Sequence, residues 1–266
     1  MKKISVEFLI TAFLFLAIWF GFSQVNWISL FDIESITSKT EEKLGDLTWE
    51  YLSDSEYEIE NDSINQTIDS LVSHITNANN IDRDFIKVHI VQTDEINAFA
   101  LPNGHLVINS ELILDAKNQE ELMGVIAHEI AHIDLNHVNE KLVKEIGLTV
   151  LISAATGGNN QIIGEIAKTL SSTAFDRQHE EEADLTAVMY LENADVNPLP
   201  FADFLYRLSD DSDSMSKYLT WISTHPDSKD RSKYVTKKID KKKSNYIQVI
   251  DQKTWEHLKT NLQNIE

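Results

Sequence analysis

Residues 120–138 read EELMGVIAHEIAHIDLNHV, and the spacing inside this stretch decides the fold. Leu122, Val125, Ile126, Ile130, Ile133 and Leu135 recur at helical intervals, which predicts a helix with a broad apolar face. His128 and His132 stand one turn apart on that helix, so both imidazoles can reach a single zinc ion, and Glu129 falls beside the water of such a site. Zinc used for hydrolysis needs a third protein ligand and one open position. One solution places a Gly three residues and a His six residues past the second histidine, but Leu135 and Val138 stand there and His137 misses by one. The other solution is a Glu on a separate helix. Glu180 and Asp184 lie one turn apart on an apparent helix that also carries Ala183, Leu185, Ala187 and Val188. This arrangement lets Glu180 bind the metal while Asp184 orients a ligand imidazole from behind.

Composition narrows the surroundings of this motif. The chain has 43 acids against 23 Lys and Arg, a net charge of −20, which repels phosphates and argues against nucleic acid as a partner. It has no cysteine, so a metal must be held by His and carboxylates, and thiol nucleophiles and disulfides are excluded. Hydrophobic residues make up 42% and charged residues 25% of 266, which fits one globular catalytic domain with appendages.

Residues 1–31 predict a signal-anchor or signal peptide. Lys2 and Lys3 precede an uncharged run from Phe8 to Phe22 that extends toward Val25, and Trp27 and Phe31 suit the outer interface of a single membrane helix. The lysines place the N-terminus in the cytoplasm and the rest of the chain on the exported side, periplasmic in a Gram-negative cell. A cleaved signal releasing a soluble exported protein is the alternative, with Gly21 and Ser23 as small residues near a cleavage point. Residues 32–62 carry eleven acids against two lysines and read as an acidic helix and tether. The catalytic domain is expected over 63–243, beginning with a helical stripe of Ile64, Ile68, Leu71, Val72 and Ile75 and a strand through Ile86, Val88 and Ile90. Residues 244–266 read as a C-terminal extension. Trp221, Phe204 and Tyr206 are expected in the core, and His74, His89, His105, His137, His179 and His257 show no constellation of their own.

Four ordered motifs now agree: NAFALPNGHLVINSELI (97–113), HEIAH (128–132), Glu-x-x-Ala-Asp (180–184) and Ser-Thr-His-Pro (223–226). Together, over about Ile86 to Lys238, they resemble the HtpX-type family of gluzincin metalloendopeptidases, which also includes CAAX prenyl proteases and exported bacterial quality-control proteases. The resemblance implies His128, His132 and Glu180 as ligands of one Zn2+ per chain, Glu129 as catalytic base, and a strand at Asn97, Ala98, Phe99 and Ala100 beside the cleft. His225 is open between a catalytic role at the cleft, stabilising an oxyanion or touching zinc at rest, and a structural loop histidine. The chain departs from the family where it has Asn103-Gly104 for Gly-Gly and Asp176 before Arg177. Several relatives carry further membrane spans, but Ile146–Ala155 is too short to cross; ordinary helix packing is the expected reason for its apolar residues, and a gate over the cleft spanning 147–173 is the alternative.

The expected fold is α+β and zincin-like: a mostly helical domain with a small sheet beside the active-site helix, plus the N-terminal membrane helix. The expected function is hydrolysis of peptide bonds in unfolded or misassembled exported polypeptides, by Glu129-assisted attack of zinc-bound water, with substrate added as a strand to the Ala98–Leu101 edge. A noncatalytic zinc-stabilised chaperone or adaptor is the rival from another class. A CAAX-type processing enzyme is disfavoured, because a single span cannot surround a lipidated substrate.

Overall fold

The computed structural model describes Phe8 and residues 38–54, 56–157, 159–208, 217–239 and 243–265. Contacts divide the chain into Met1–Lys39 and Thr40–Glu266, and the second unit holds the sheet and the site. The expected membrane segment lies outside the described residues; among those described, no helix is long and apolar enough to cross a membrane.

Helix α1 (Ser38–Ser53) and strand β1 (Tyr57–Glu58) lead into α2 (Asp62–Ala78). Asn61 caps α2 by accepting from the Ser63 and Ile64 amides, which satisfies donors that a first turn leaves free. Ile64, Ile68, Leu71, Val72 and Ile75 form its buried stripe. Strands β2 (Lys87–Gln92), β3 (Ala98–Ala100) and β4 (His105–Asn109) complete a sheet ordered β1-β2-β4-β3. β2 and β4 run parallel, and β1 and β3 join antiparallel at the two ends. The β3–β4 turn needs a glycine: Gly104 has φ +72°, and a Cβ there would lie 2.1 Å from the Phe85 carbonyl oxygen.

Period-two alternation gives the sheet two faces. Ile90, Ala98, Leu106 and Ile108 join the main core with α2 and with α4 (Gln119–Asp134), which follows the short α3 (Ser110–Asp115). The remaining elements are α5 (His137–Glu145), α6 (Leu148–Gly157), α7 (Asn160–Ser172), α8 (Arg177–Asn193), α9 (Leu199–Arg207), α10 (Leu219–Thr224), α11 (Ser228–Lys238) and α12 (Gln252–Gln263). Helix α4 is buried on all sides along its second half, because α2, α8, α9 and β3 pack around it. Gly124 permits the α9 approach, since a Cβ there would sit 2.4 Å from Phe201 Cβ.

Several expectations change on this fold. The acidic segment is more than a tether: α1 and β1 pack on the sheet, with Leu44 and Thr48 buried. The C-terminal extension is integral, since Trp255, Leu258 and Leu262 of α12 join the core beside α2. Trp221 and Phe204 are buried as expected, whereas Tyr206 is 65% exposed, on the solvent side of α9.

The second sheet face is covered by α1 through a chain of rings and charges. Trp49 stacks on His89 at 3.6 Å between centroids, and His89 Nε2 lies 2.8 Å from His105 Nδ1. Glu58 backs His89 at 2.8 Å; Asp46 of α1 meets both His105, at 3.1 Å, and Lys87, at 3.0 Å. Burial lowers the pKa of both histidines, that of His105 to about 4. A depressed folded-state value means that the neutral pair stabilises docking of α1 above about pH 6.5, and that this contribution is lost as pH falls toward about 4. The fluorescence difference between the parent and Trp49→Phe should therefore titrate in that window. A signal unchanged from pH 7 to pH 4 contradicts the latch.

Candidate metal centre and cleft

Asn118 caps α4 by accepting from the Glu121 amide, and three turns later the helix presents His128, Glu129 and His132. Glu180 comes from the first turn of α8, and His225 from the residue that ends α10. Ligand atoms of His128, His132, Glu180 and His225 all lie within 4.8 Å of one another, and all four residues are buried. His132 Nε2 is 3.1 Å from His128 Nε2 and 3.4 Å from Glu180 Oε1, while His225 Nδ1 is 3.0 Å from that same oxygen. Imidazoles and a carboxylate converging at such distances suit zinc, and two histidines with one glutamate leave a position for substrate. The residues therefore fit the metal. The fit has independent support in Glu129, which is fully buried while both carboxylate oxygens lack a full hydrogen bond.

Groups behind the ligands fix their directions. His128 Nδ1 lies 2.9 Å from Asp184 Oδ1, so its Nε2 points inward. Asp184 in turn accepts two 2.8 Å bonds from Arg231 of α11 and a third from the Tyr234 hydroxyl. Arg231 also reaches Glu180 at 2.5 Å and is itself buried. His132 is backed by an imidazole: its Nδ1 lies 3.1 Å from His137 Nδ1, and His137 Nε2 lies 3.3 Å from Glu182. His137 also stacks on His179 at 4.3 Å. Phe175 lies 4.0 Å over His132 and has the Lys141 ammonium 4.0 Å from its ring centroid, and Trp221 stacks on His225 at 4.3 Å.

Burial and charge set the protonation states. Burial, then the neighbouring Glu180, pushes Glu129 well above the usual carboxyl range, against the opposing pull of Arg231 and Lys141. Burial would raise Glu180 too, but Arg231 and the facing imidazoles outweigh it and hold the carboxyl well below its usual range. Asp184, against the same burial penalty, is held to about 2 by Arg231. Burial keeps His132 and His225 neutral, His225 at about 4, so a lone pair is available without losing a proton.

Strand β3 ends the sheet, with no strand on its outer edge among the described residues. Ala98 and Ala100 face α4, with the Ala100 amide favouring the Glu129 anion weakly; Asn97 and Phe99 belong to the opposite side. The region read as ordinary helix packing, with a gate as the alternative, forms α6 and α7, and α7 lies against β3 and α10. Sequence reasoning passed over His137, His89 and His105. For His137 a signal existed: Asn136 takes the left-handed conformation, φ 63°, and reverses the chain so that the next residue returns over His132.

A helix carrying two histidines and a glutamate, a carboxylate from a second helix and a strand edge with no strand paired to it among the described residues suit a metallopeptidase centre. The profile of peptidase family M48 matches residues 58–239, and the chain belongs to that family of metalloproteases. It is 29% identical over 165 residues to the beta-barrel assembly-enhancing protease of Yersinia pestis, covering 57% of this chain and 34% of that protein. It is 28% identical over 151 residues to the mitochondrial metalloendopeptidase OMA1 of Schizosaccharomyces pombe, covering 54% and 44%. Metalloprotease LoiP of Escherichia coli K12 is 25% identical over 164 residues, covering 59% and 64%. The chain thus spans about a third to under two thirds of the length of these curated relatives.

Proposed function

We propose that the protein is a zinc endopeptidase in which His128, His132 and Glu180 hold the metal, Glu129 is the catalytic base, and Asp184 orients His128. The observation that carries this reading is Glu129: a buried carboxylate with neither oxygen fully hydrogen-bonded, one residue from a ligand histidine. A purely structural site has no use for such a group, which costs stability where it stands. Zinc bound there supplies a Lewis acid that acidifies a water molecule and polarises the scissile carbonyl. Glu129 would take the proton from the attacking water and return it to the leaving amine. In the strand segment Asn97, Ala98, Phe99 and Ala100, Asn97 and Leu101 bond across to β4, so Ala98 and Ala100 are the residues whose main-chain groups can meet an extended polypeptide, and substrate choice follows exposure of the chain as well as sequence. His225 Nε2 lies 3.4 Å from Glu129, a distance that supports a role in stabilising the oxyanion or resting against the metal.

The rival reading, a noncatalytic zinc-stabilised adaptor, draws on His225, since a fourth protein ligand is what closes a structural site. Glu129 weighs against it. Unfolded or misassembled exported proteins are the proposed substrates, supported by similarity to a protease named for β-barrel assembly, and the N-terminal segment is the proposed membrane anchor.

The His137 contact makes a separate expectation. His137→Phe removes the group that holds His132 Nδ1, so zinc affinity should fall roughly 10–100-fold, read by competition with a chromophoric chelator. Glu182→Gln should cost less, because that carboxylate is 48% exposed. An unaltered zinc affinity in His137→Phe removes His137 from the centre.

A further inference from the structure

On the α1 side of the sheet, at its β3 end, a cavity of about 380 Å³ opens on the face of β3 opposite helix α4. Phe99 and Val107, paired across β3 and β4, form its floor, and Trp49 of α1 stands as one wall. The ends of α7 and α10 close the other side, and α10 runs directly into His225. The cavity is thus continuous with the strand that faces Glu129.

Its polar groups are biased toward acceptance. The ionisable residues on its lining are two acids, Glu56 and Glu95, both exposed and neither ion-paired among the described residues. Asn97 lines the same cavity, is 1% exposed, and its Oδ1 is buried without a partner. An orphaned acceptor that shares its lining with two carboxylates and an aromatic floor calls for a group with several donors and no acceptor. Lysine and arginine side chains have that character, and both bury an aliphatic stem on apolar surface while the cation stays polar. An extended polypeptide added along β3 turns every second side chain toward the Asn97–Phe99 face, so the substrate itself can deliver one.

We propose that this cavity is a specificity subsite for a lysine or arginine side chain of the polypeptide substrate, with the stem on Phe99 and Trp49 and the cation among Asn97 Oδ1, Glu95 and Glu56. The proposal rests on the peptidase reading above. The net charge of −20 attracts cationic segments to the protein as a whole.

The test uses uncharged fluorogenic decapeptides in which one position at a time is Arg, Lys, Gln, Leu or Glu. Cleavage by the zinc-loaded full chain is measured beside binding to Glu129→Gln by fluorescence anisotropy. One position should favour Arg or Lys over Gln by about tenfold, the effect of one partly desolvated charge pair. In the double variant Glu56→Gln, Glu95→Gln, that ratio, measured within the variant, should fall to about twofold or less. Cleavage with no charge preference, a preference for Leu or Glu, or a ratio that survives the double variant overturns the subsite and leaves the peptidase standing. Binding that prefers Arg without any cleavage keeps the subsite and removes the peptidase, and absence of both cleavage and binding removes both.

Discussion

Glu129→Gln is expected to stop peptide hydrolysis while leaving one zinc bound. The amide keeps the shape of the side chain and cannot accept the proton of the attacking water, so the loss should be at least about 10²–10⁴-fold, the usual contribution of a general base. Zinc content should hold because the proposed ligands are His128, His132 and Glu180, and Glu129 is not among the residues whose ligand atoms converge. Casein cleavage and bound zinc, both measured on parent and variant, separate the readings. A zinc-replete variant that cleaves as well as the parent contradicts the assigned base; equal inactivity of two zinc-replete proteins favours the adaptor.

Arg231→Met is expected to be the most destabilising single change. Arg231 is buried, spans Asp184 by two 2.8 Å hydrogen bonds and reaches Glu180 at 2.5 Å. Its removal leaves two buried carboxylates uncompensated, a loss of roughly 3–5 kcal/mol. A domain of ordinary stability has about 5–15 kcal/mol in all, so the variant should unfold at far lower denaturant. The measurement is urea unfolding of the metal-free proteins, which keeps zinc binding out of the comparison. Adding Asp184→Asn should recover part of the loss, because the second change removes one stranded charge. A change under about 1 kcal/mol for Arg231→Met would show that the carboxylates are served by other groups.

The centre was legible in the sequence to the extent that it is local. Two histidines one turn apart, and Glu180 with Asp184 one turn apart, are statements about single helices, and helical periodicity reports them directly. The apolar stripe of α2 and the strand at Ala98 were legible for the same reason. What escaped depends on the partner across the gap. His137 gains meaning only because a left-handed Asn136 folds α5 back over His132. His89 and His105 are sixteen residues apart and meet only because β2 and β4 pair in parallel, a register no local pattern encodes. The acidic run around Asp46 reads as solvated until Trp49 and Leu44 on the same helix find the sheet. Tyr206 looked like core on hydrophobicity, but it lies on the outer side of a helix whose inner side is filled by Phe201, Phe204 and Leu205.

Zinc titration into the metal-free full-length protein, with casein cleavage followed at each addition, tests the central claim most directly. Cleavage should rise linearly and saturate at one equivalent in the parent, and Glu180→Gln should require much higher zinc to approach the same rate. Cleavage that persists after chelation, or a Glu180→Gln protein that saturates at one equivalent as the parent does, contradicts the account.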